Sequence, residues 1–421
     1  MAEARSPGAG ALWAISSVPF IMVLGNSMLI PILPTMQSVL GISQFQASLV
    51  ITLFSVPAGL IIPLAGFLSD RLKRKWIIIP SLGLYALGGL VAAIGAWIGQ
   101  WVFPVILIGR VIQGLGAAGT APIAMALVSD LFQGGERSRA LGLNEASNGL
   151  GKVVSPILGA WVGSLLWYGA FLLFPILTIP VMIGLWLAVK EPPLPKGMSA
   201  ARYWQSFVAI WKRDAHWLLV GYFSGATALF LLFGVLFYVS ETLESVHHLG
   251  VFARGTILAV PLTGMCTASY LTGRWIKKNR PLMKGAVVGG LGVIAGTLFL
   301  LPFLRSPGWQ LGDLVLSGIG TGVVLPSLNT LITGTAEREE RGIITSFYGS
   351  VRFLGVAAGP PVFSQLMKLP PVWMFGLCAG LAAVAGGVAL LFIRVSGHPP
   401  SRRKSPLSSS LGNRPKAAGI K

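Results

Sequence analysis

The run NEASNGLGKVVSP, residues 144–156, sets Glu145, Asn148 and Lys152 at i, i+3 and i+7. On a helix these three share one face. A carboxyl there can take up and release a proton, and a cation there can hold an anion. The run sits in a stretch of span length, as do Arg110 and Arg352. A charge at the centre of a bilayer costs about 2.5–3.5 kcal/mol on insertion scales. These side chains must therefore face water or one another. With Asn26 and Gln113, the set Arg110, Glu145, Asn148, Lys152 and Arg352 reads as the lining of a hydrated central cavity. Three cations against the single acid Glu145 favour an anionic or polyphenolic ligand over a lipophilic cation. Glu145 is the first candidate for a group that titrates between two states, and Asp70 the second. The competing reading is an internal ion pair of Glu145 with Lys152 or an arginine, serving structure alone.

A second stretch, RVIQGLGAAG at 110–119, contains Gly114-x-Gly116-x-x-Gly119. A dinucleotide site needs a short strand before such glycines and an acid about 20 residues on, in a βαβ unit. Here the flanks WVFPVILIG and TAPIAMALVSDLF form one apolar run of span length. The spacing predicts a small-residue seam where two helices approach closely in lipid.

The elements that must position these residues are membrane spans. Of 421 residues, 54% are hydrophobic and 11% charged, against about 25% charged in soluble domains. The mean hydropathy is +0.75. Twelve apolar stretches are long enough to span: 11–33, 46–68, 76–98, 102–128, 139–163, 167–189, 215–240, 252–273, 282–303, 309–333, 341–365 and 371–393. The first reads as a span rather than a cleavable signal. The formal charge of +19 is explained by topology. With the N-terminus inside, 26 of the 32 Lys and Arg fall in inside segments and 3 in outside ones. That asymmetry predicts a multi-pass protein with both termini cytoplasmic, and nucleic acid is not needed to account for the charge. Cys266 and Cys378 read as packing residues, and no metal pattern appears.

The chain matches itself under a shift of 204 residues. Gly114 meets Gly318, Gly116 meets Gly320, Pro122 meets Pro326, Glu136 meets Glu340, Arg137 meets Arg341, Gly151 meets Gly355 and Pro156 meets Pro360. Lys73 and Arg74 meet Lys277 and Lys278, and Asn148 meets Arg352. The reading is all-α, with two pseudo-symmetric six-helix bundles at 1–189 and 215–394. Residues 190–214 form a cytoplasmic linker. Within it Trp204, Phe207, Val208 and Trp211, with Arg202, Lys212 and Arg213 nearby, predict a short interfacial helix. The basic, Ser- and Pro-rich tail 395–421 reads as disordered.

Three motifs carry a family resemblance. GFLSDRLKRK at 66–75 resembles the loop signature of the major facilitator superfamily through Gly66, Asp70, Arg71 and Arg74. Lys73 stands where that family has glycine. RVIQGLGAA is similar to the span-four signature through Arg110, Gln113, Gly114 and Gly116. Gly142, Gly151, Pro156 and Gly159 match the span-five pattern of its exporters, with Ser155 and Ala160 replacing two glycines. The resemblance is to twelve-span drug/proton antiporters and to bacterial siderophore exporters of that type. It implies a proton-coupled antiporter of the cell membrane that exports a small molecule by alternating access. It implies no cofactor beyond the proton gradient, and small molecule, protons and lipid as partners of a functional monomer. It also implies an Arg74–Asp130 pair that latches the cytoplasmic side.

Rival classes are weaker. An uptake symporter for an organic anion is the near alternative. No GxxxxGK[ST], HExxH or GxSxG is present, and a channel does not require two homologous halves. Lys73 and Lys75 read as topology charges, and Glu241, Glu244 and Asp313 as surface acids.

Overall fold

The computed structural model describes residues 8–99, 101–191, 200–276, 279–335 and 341–393. Among these every regular element is helical. Twelve helical segments follow in chain order: α1 Ala9–Leu40, α2 Gln44–Ser69, α3 Lys75–Ile98, α4 Val102–Leu131, α5 Gly134–Leu165 and α6 Gly169–Ala188. The second half has α7 Ala200–Ser245, α8 Val251–Ile276, α9 Arg280–Phe303, α10 Pro307–Thr335, α11 Arg341–Leu366 and α12 Pro371–Phe392. This is the all-α, twelve-span architecture expected above. The tail 395–421, residues 192–199, the side chain of Arg202, and Lys277, Lys278 and Glu340 of the internal matches lie outside the described residues.

Local chemistry sets the breaks. In α1 the α-helix stops at Ser27 and resumes at Leu33 through a 3-10 turn at Ile30–Ile32. Pro31 and Pro34 lack the amide that a continuous helix needs. Gly41 closes the segment at φ +64°, a left-handed conformation that glycine adopts freely. Ser43 and Gln46 then form a reciprocal capping box that starts α2. In α4 the helix breaks between Ala117 and Ala121, just before Pro122.

Ten segments are long and apolar enough to cross a membrane, and α5 and α11 are the two that are not. α5 carries Glu136, Arg137, Arg139, Glu145 and Lys152, while α11 mixes Arg352 with Ser, Gly and Pro. These two are equivalent under the internal match, and both sit between the halves. α5 packs on α1 of its own half and α8 of the other; α11 packs on α7 and α2. Each half's fifth helix therefore meets the second helix of its opposite, which is the pattern of a two-fold relation.

Glycine seams allow this packing. A Cβ at Gly114 would overlap the Phe54 carbonyl, one at Gly116 would stand 2.5 Å from the Ser81 carbonyl oxygen, and one at Gly119 would overlap the Ser81 hydroxyl. The three glycines are thus where α4 meets α2 and α3, a helix seam and not a phosphate loop. In the second half Gly318 and Gly320 make the matching approaches to Pro261 and Gly290.

One expectation is revised. The amphipathic segment within 190–214 is not a separate helix but the first turns of α7, which runs 46 residues without a break. At 1.5 Å per residue that is about 69 Å, far longer than a bilayer core. Phe207 stacks on Trp204, Trp211 and Phe347 of α11, and Tyr203 meets Phe67 of α2. These contacts hold the extension in line with the span.

The seams carry a stability prediction. Gly114→Val costs about 1–3 kcal/mol through overpacking and lowers the melting temperature of the purified protein. Gly142→Ala, where a Cβ meets nothing within 4 Å, leaves it unchanged.

Candidate functional site

Near the middle of α5, α8 and α11 the two halves bring charged groups together. Lys152 interacts electrostatically with Cys266, Arg352 and Glu145. The Cys266 thiol donates to the Gly149 carbonyl at 3.3 Å, joining α8 to α5. Arg352 lies over the Tyr348 ring at 5.3 Å, and its Nε is buried without an acceptor. Lys152, Arg352 and Asn148 are half-buried, and Glu145 is exposed. Among the described residues neither Lys152 nor Arg352 forms an ion pair with a carboxylate. Two cations on opposite halves thus repel one another, Glu145 offsets this from the Lys152 side alone, and an anion placed there reduces the repulsion.

The other three residues expected to line the cavity are drawn elsewhere. Arg110 and Gln113 are 0% exposed, at the junction of α1, α2 and α4. Arg110 donates to the Val50 carbonyl at 2.8 Å, the Gly25 carbonyl at 2.6 Å and Gln113 Oε1 at 2.5 Å. Its guanidinium lies 4.4 Å over the Phe54 ring. The break in α1 explains the Gly25 contact: Leu29 donates to Asn26 O, leaving the Gly25 carbonyl to the arginine. Asn26 is satisfied by Ser55 at 3.1 Å. This cluster ties three helices of one half together and does not open to the inter-half space.

The loop motif at the end carrying the α2–α3 connection is organised around Arg74. It pairs with Asp130, as the resemblance implies, and with Asp70 at 3.3 Å. Arg71 lies 4.2 Å over the Phe67 ring. Both carboxylates paired with Arg74 belong to its own half. The crossing contacts come from Gly66, where a Cβ would stand 2.5 Å from Ser346 Oγ, and from Asp70, whose Oδ2 would lie 3.6 Å from a Cβ at Gly342. Gly342 opens α11, so Asp70 faces a helix N-terminus as well as a neighbouring arginine. Partial burial pushes the Asp70 carboxyl above the usual aspartate range, Arg74 pulls it back, and Asp130 adds to the rise.

Sequence reading missed a partnership here. Glu191 accepts from the backbone amides of Arg74 at 2.8 Å and Lys75 at 3.0 Å, capping the start of α3. Lys75 in turn donates to the carbonyls of Trp186 and Val189 at 2.6 and 2.8 Å, capping the end of α6. Lys75 is therefore more than a topology charge. The signal was available: an acid just after one helix and a lysine opening another.

The opposite end, here called distal, corrects another reading. Glu241 is 8% exposed and Asp313 7%, so neither is a surface acid. Glu244 pairs with Arg254 at 2.5 Å, and Arg254 is 1% exposed. Gln37 donates to Glu241 at 2.5 Å, Arg254 to Thr35 at 2.8 Å and Ser240 to the Ile30 carbonyl at 2.9 Å. All three bonds cross between the halves.

The span-five glycines divide by environment. Gly142 faces open space, whereas a Cβ at Gly151 would press on Phe20 and one at Gly159 on the Met28 carbonyl, both in α1. Gly255 of α8 sits directly on Pro156 and Ala160. It is the partner of this motif across the halves, and only the folded chain reveals it.

The chain matches the family described as Major Facilitator Superfamily over residues 15–360, with a further match over 314–418. It is 41% identical to the bacillibactin exporter of Bacillus subtilis (strain 168) over 382 residues, 90% of this chain and 95% of that protein. It is 26% identical to the multidrug efflux protein YfmO of the same organism, covering 85% and 86% of the two chains. Among solved structures it resembles the human organic anion transporter MFSD10 (TETRAN), with a TM-score of 0.68 at 20% identity over 90% of this chain and 99% of that one. It also resembles a bacterial homolog of the human lysosomal transporter Spinster, inward-facing and unoccupied, with a TM-score of 0.66 at 17% identity, covering 90% and 92%.

The separation of Arg110 from Arg352 is measurable without any ligand. Arg110→Ala leaves carbonyls facing a void and costs about 1–3 kcal/mol, seen as a lower melting temperature. Arg352→Ala, which removes one of two repelling cations, does not lower it.

Proposed function

This chain belongs to the major facilitator superfamily, and from that premise we propose that it exports a small organic anion in exchange for protons. The compound is siderophore-like or an amphipathic anionic drug. The chain is a multi-pass membrane transporter, as its family match establishes. Export, antiport and proton coupling are our reading. The observation that carries it is the Lys152–Arg352 pair, two cations facing across the halves with no carboxylate paired to either. The similarity to a named bacillibactin exporter supports the same direction of transport.

The mechanism follows from charge. Both termini are cytoplasmic, on the strength of the Lys and Arg asymmetry, so the distal end faces outward. An anion between Lys152 and Arg352 relieves their repulsion and draws α5 and α11 towards each other. That stabilises a state in which the halves have rocked, because a ligand shifts an equilibrium by its differential affinity for the two states. Glu145 provides coupling. A polyphenolic anion also carries O–H donors, and one of these can bond the ionised Glu145 carboxylate. A proton on Glu145 removes the charge of that acceptor and weakens the bond, so proton and substrate compete at a single carboxyl. Alternate occupation by the two is the requirement for antiport. The Arg74–Asp130 pair and the Asp70 contact with the start of α11 hold the cytoplasmic ends when the cavity opens outward.

Reconstituted vesicles with an imposed pH gradient test this with labelled anionic and cationic compounds. Wild type moves anions uphill and leaves cations behind. Glu145→Gln abolishes uphill, proton-driven export yet retains downhill exchange; coupling at the wild-type level in this variant refutes the role of Glu145. Arg352→Ala lowers anion transport by roughly tenfold or more, the loss of one charge-assisted contact, and spares neutral compounds. Equal losses for both refute the anion site.

A further inference from the structure

The distal closure contains a charged group whose donors are not all used. Arg254 of α8 is 1% exposed. Its Nη1 lies 2.5 Å from Glu244 as an ion pair without hydrogen-bond geometry, and its Nη2 donates to Thr35 of the other half at 2.8 Å. Its Nε is buried with no acceptor. One helical turn from Glu244, on the same face of α7, stands Glu241, 8% exposed. Glu241 takes a hydrogen bond from the opposite half, from Gln37 at 2.5 Å, and Gln44 of that half stands near it with its amide directed to Met367 at 3.3 Å. Arg254 and Glu241 already interact electrostatically. The charged and polar groups that face Glu241 are therefore Gln37, Gln44, Arg254 and Glu244.

Parting the halves at this end takes Thr35, Gln37 and Gln44 away together. Glu241 then loses its amide donor Gln37 and the nearby Gln44, and Arg254 loses its hydroxyl acceptor while keeping a free Nε. A buried carboxylate left without donors is costly, and so is a guanidinium left without acceptors. Both costs vanish if the two groups turn to each other. They lie in one half, on adjacent helices, so they stay together when the halves separate.

We propose that Arg254 is a reserve partner for Glu241: closing the distal end commits Glu241 to Gln37, with Gln44 beside it, and opening it exchanges that bond for an Arg254–Glu241 ion pair. The gate then opens without stranding a charge. Glu241 and Arg254 are positioning residues of the gate and do not touch the transported compound. The exchange rests on the alternating-access reading above but not on what is transported.

The two roles of Glu241 give opposite signs, which makes the exchange testable. Spin labels at Val39 and Val246, exposed positions on the two halves at the distal end, report their separation by pulsed electron resonance, with Cys266 and Cys378 replaced by alanine. Gln37→Ala with Gln44→Ala removes the cross-half amides and raises the population at long distance. Adding Glu241→Gln, which keeps the shape but removes the charge that Arg254 needs, lowers the ratio of long to short distance by roughly tenfold or more, the worth of a hydrogen bond to a charged group. A Glu241 that only latches predicts the reverse, and a long-distance population that is unchanged or larger overturns the exchange. Failure of the glutamine variants to lengthen the distance overturns it as well. Elution as a single species and an unchanged melting temperature for Glu241→Gln establish that the variant is folded. The distances need no substrate, so a failed exchange leaves export standing, and a failed export assay leaves the exchange standing.

Discussion

A charge inside a bilayer must meet water or a partner, and the architecture of this transporter is arranged around that constraint. The penalty of about 2.5–3.5 kcal/mol per charged side chain is comparable to a sizeable part of a domain's net stability. Arg110 meets it by binding carbonyls of two neighbouring helices. Lys152, Glu145 and Arg352 meet it differently, by lying on α5 and α11, which run between the halves. Those two helices are the least lipid-like in the chain, and they occupy the place where lipid does not need to be satisfied. Fold and proposed function thus share one cause: the residues too polar for lipid end up between the halves, where the proposed anion site lies.

Pseudo-symmetry multiplies the effect. Because each fifth helix packs on the opposite second helix, two polar faces of separate halves oppose one another at the same depth. Packing so close requires residues without side chains. Gly151 and Gly159 let α5 approach α1, while Gly355 lets α11 approach the Ala226 carbonyl of α7. Gly255 seats on the Pro156 carbonyl across the halves, and Ser350 donates to the Gly59 carbonyl at 2.5 Å on the other side. These contacts are narrow and backbone-based, and in the rocking proposed above they are the surfaces along which the halves turn. The distal closure is of another kind, built from side chains whose bonds can be exchanged. That division matches what a rocking carrier needs: rigid pivots and a breakable seal.

Much of this was legible in the sequence for physical reasons. Span length, the placement of Lys and Arg, and the internal match follow from the bilayer, which acts on every residue alike. The pairing of Arg74 with Asp130 was legible through a motif. What escaped depends on tertiary detail. Arg110 in a span reads the same whether it faces a cavity or a helix carbonyl, and only the break after Ser27 decides. Glu241 and Asp313 near span ends look solvated until the chain folds, which buries both and sets Gln37 of the other half on Glu241. Trp204, Phe207 and Trp211 have the spacing of an interfacial helix, but they are the first turns of the unbroken α7, and Phe207 stacks on Phe347 of α11. Lys75 and Glu191 are separated by more than a hundred residues, so neither shows its role alone.

The central claim is that the polar face of α5 borders water between the halves. Nitroxide labels placed singly from 141 to 153, with collision rates measured for oxygen and for a water-soluble nickel chelate, test it most directly. The account predicts nickel accessibility that peaks with helical period at 145, 148 and 152 and oxygen accessibility that is lowest there. Oxygen maxima at those three positions would place the charges against acyl chains and contradict it.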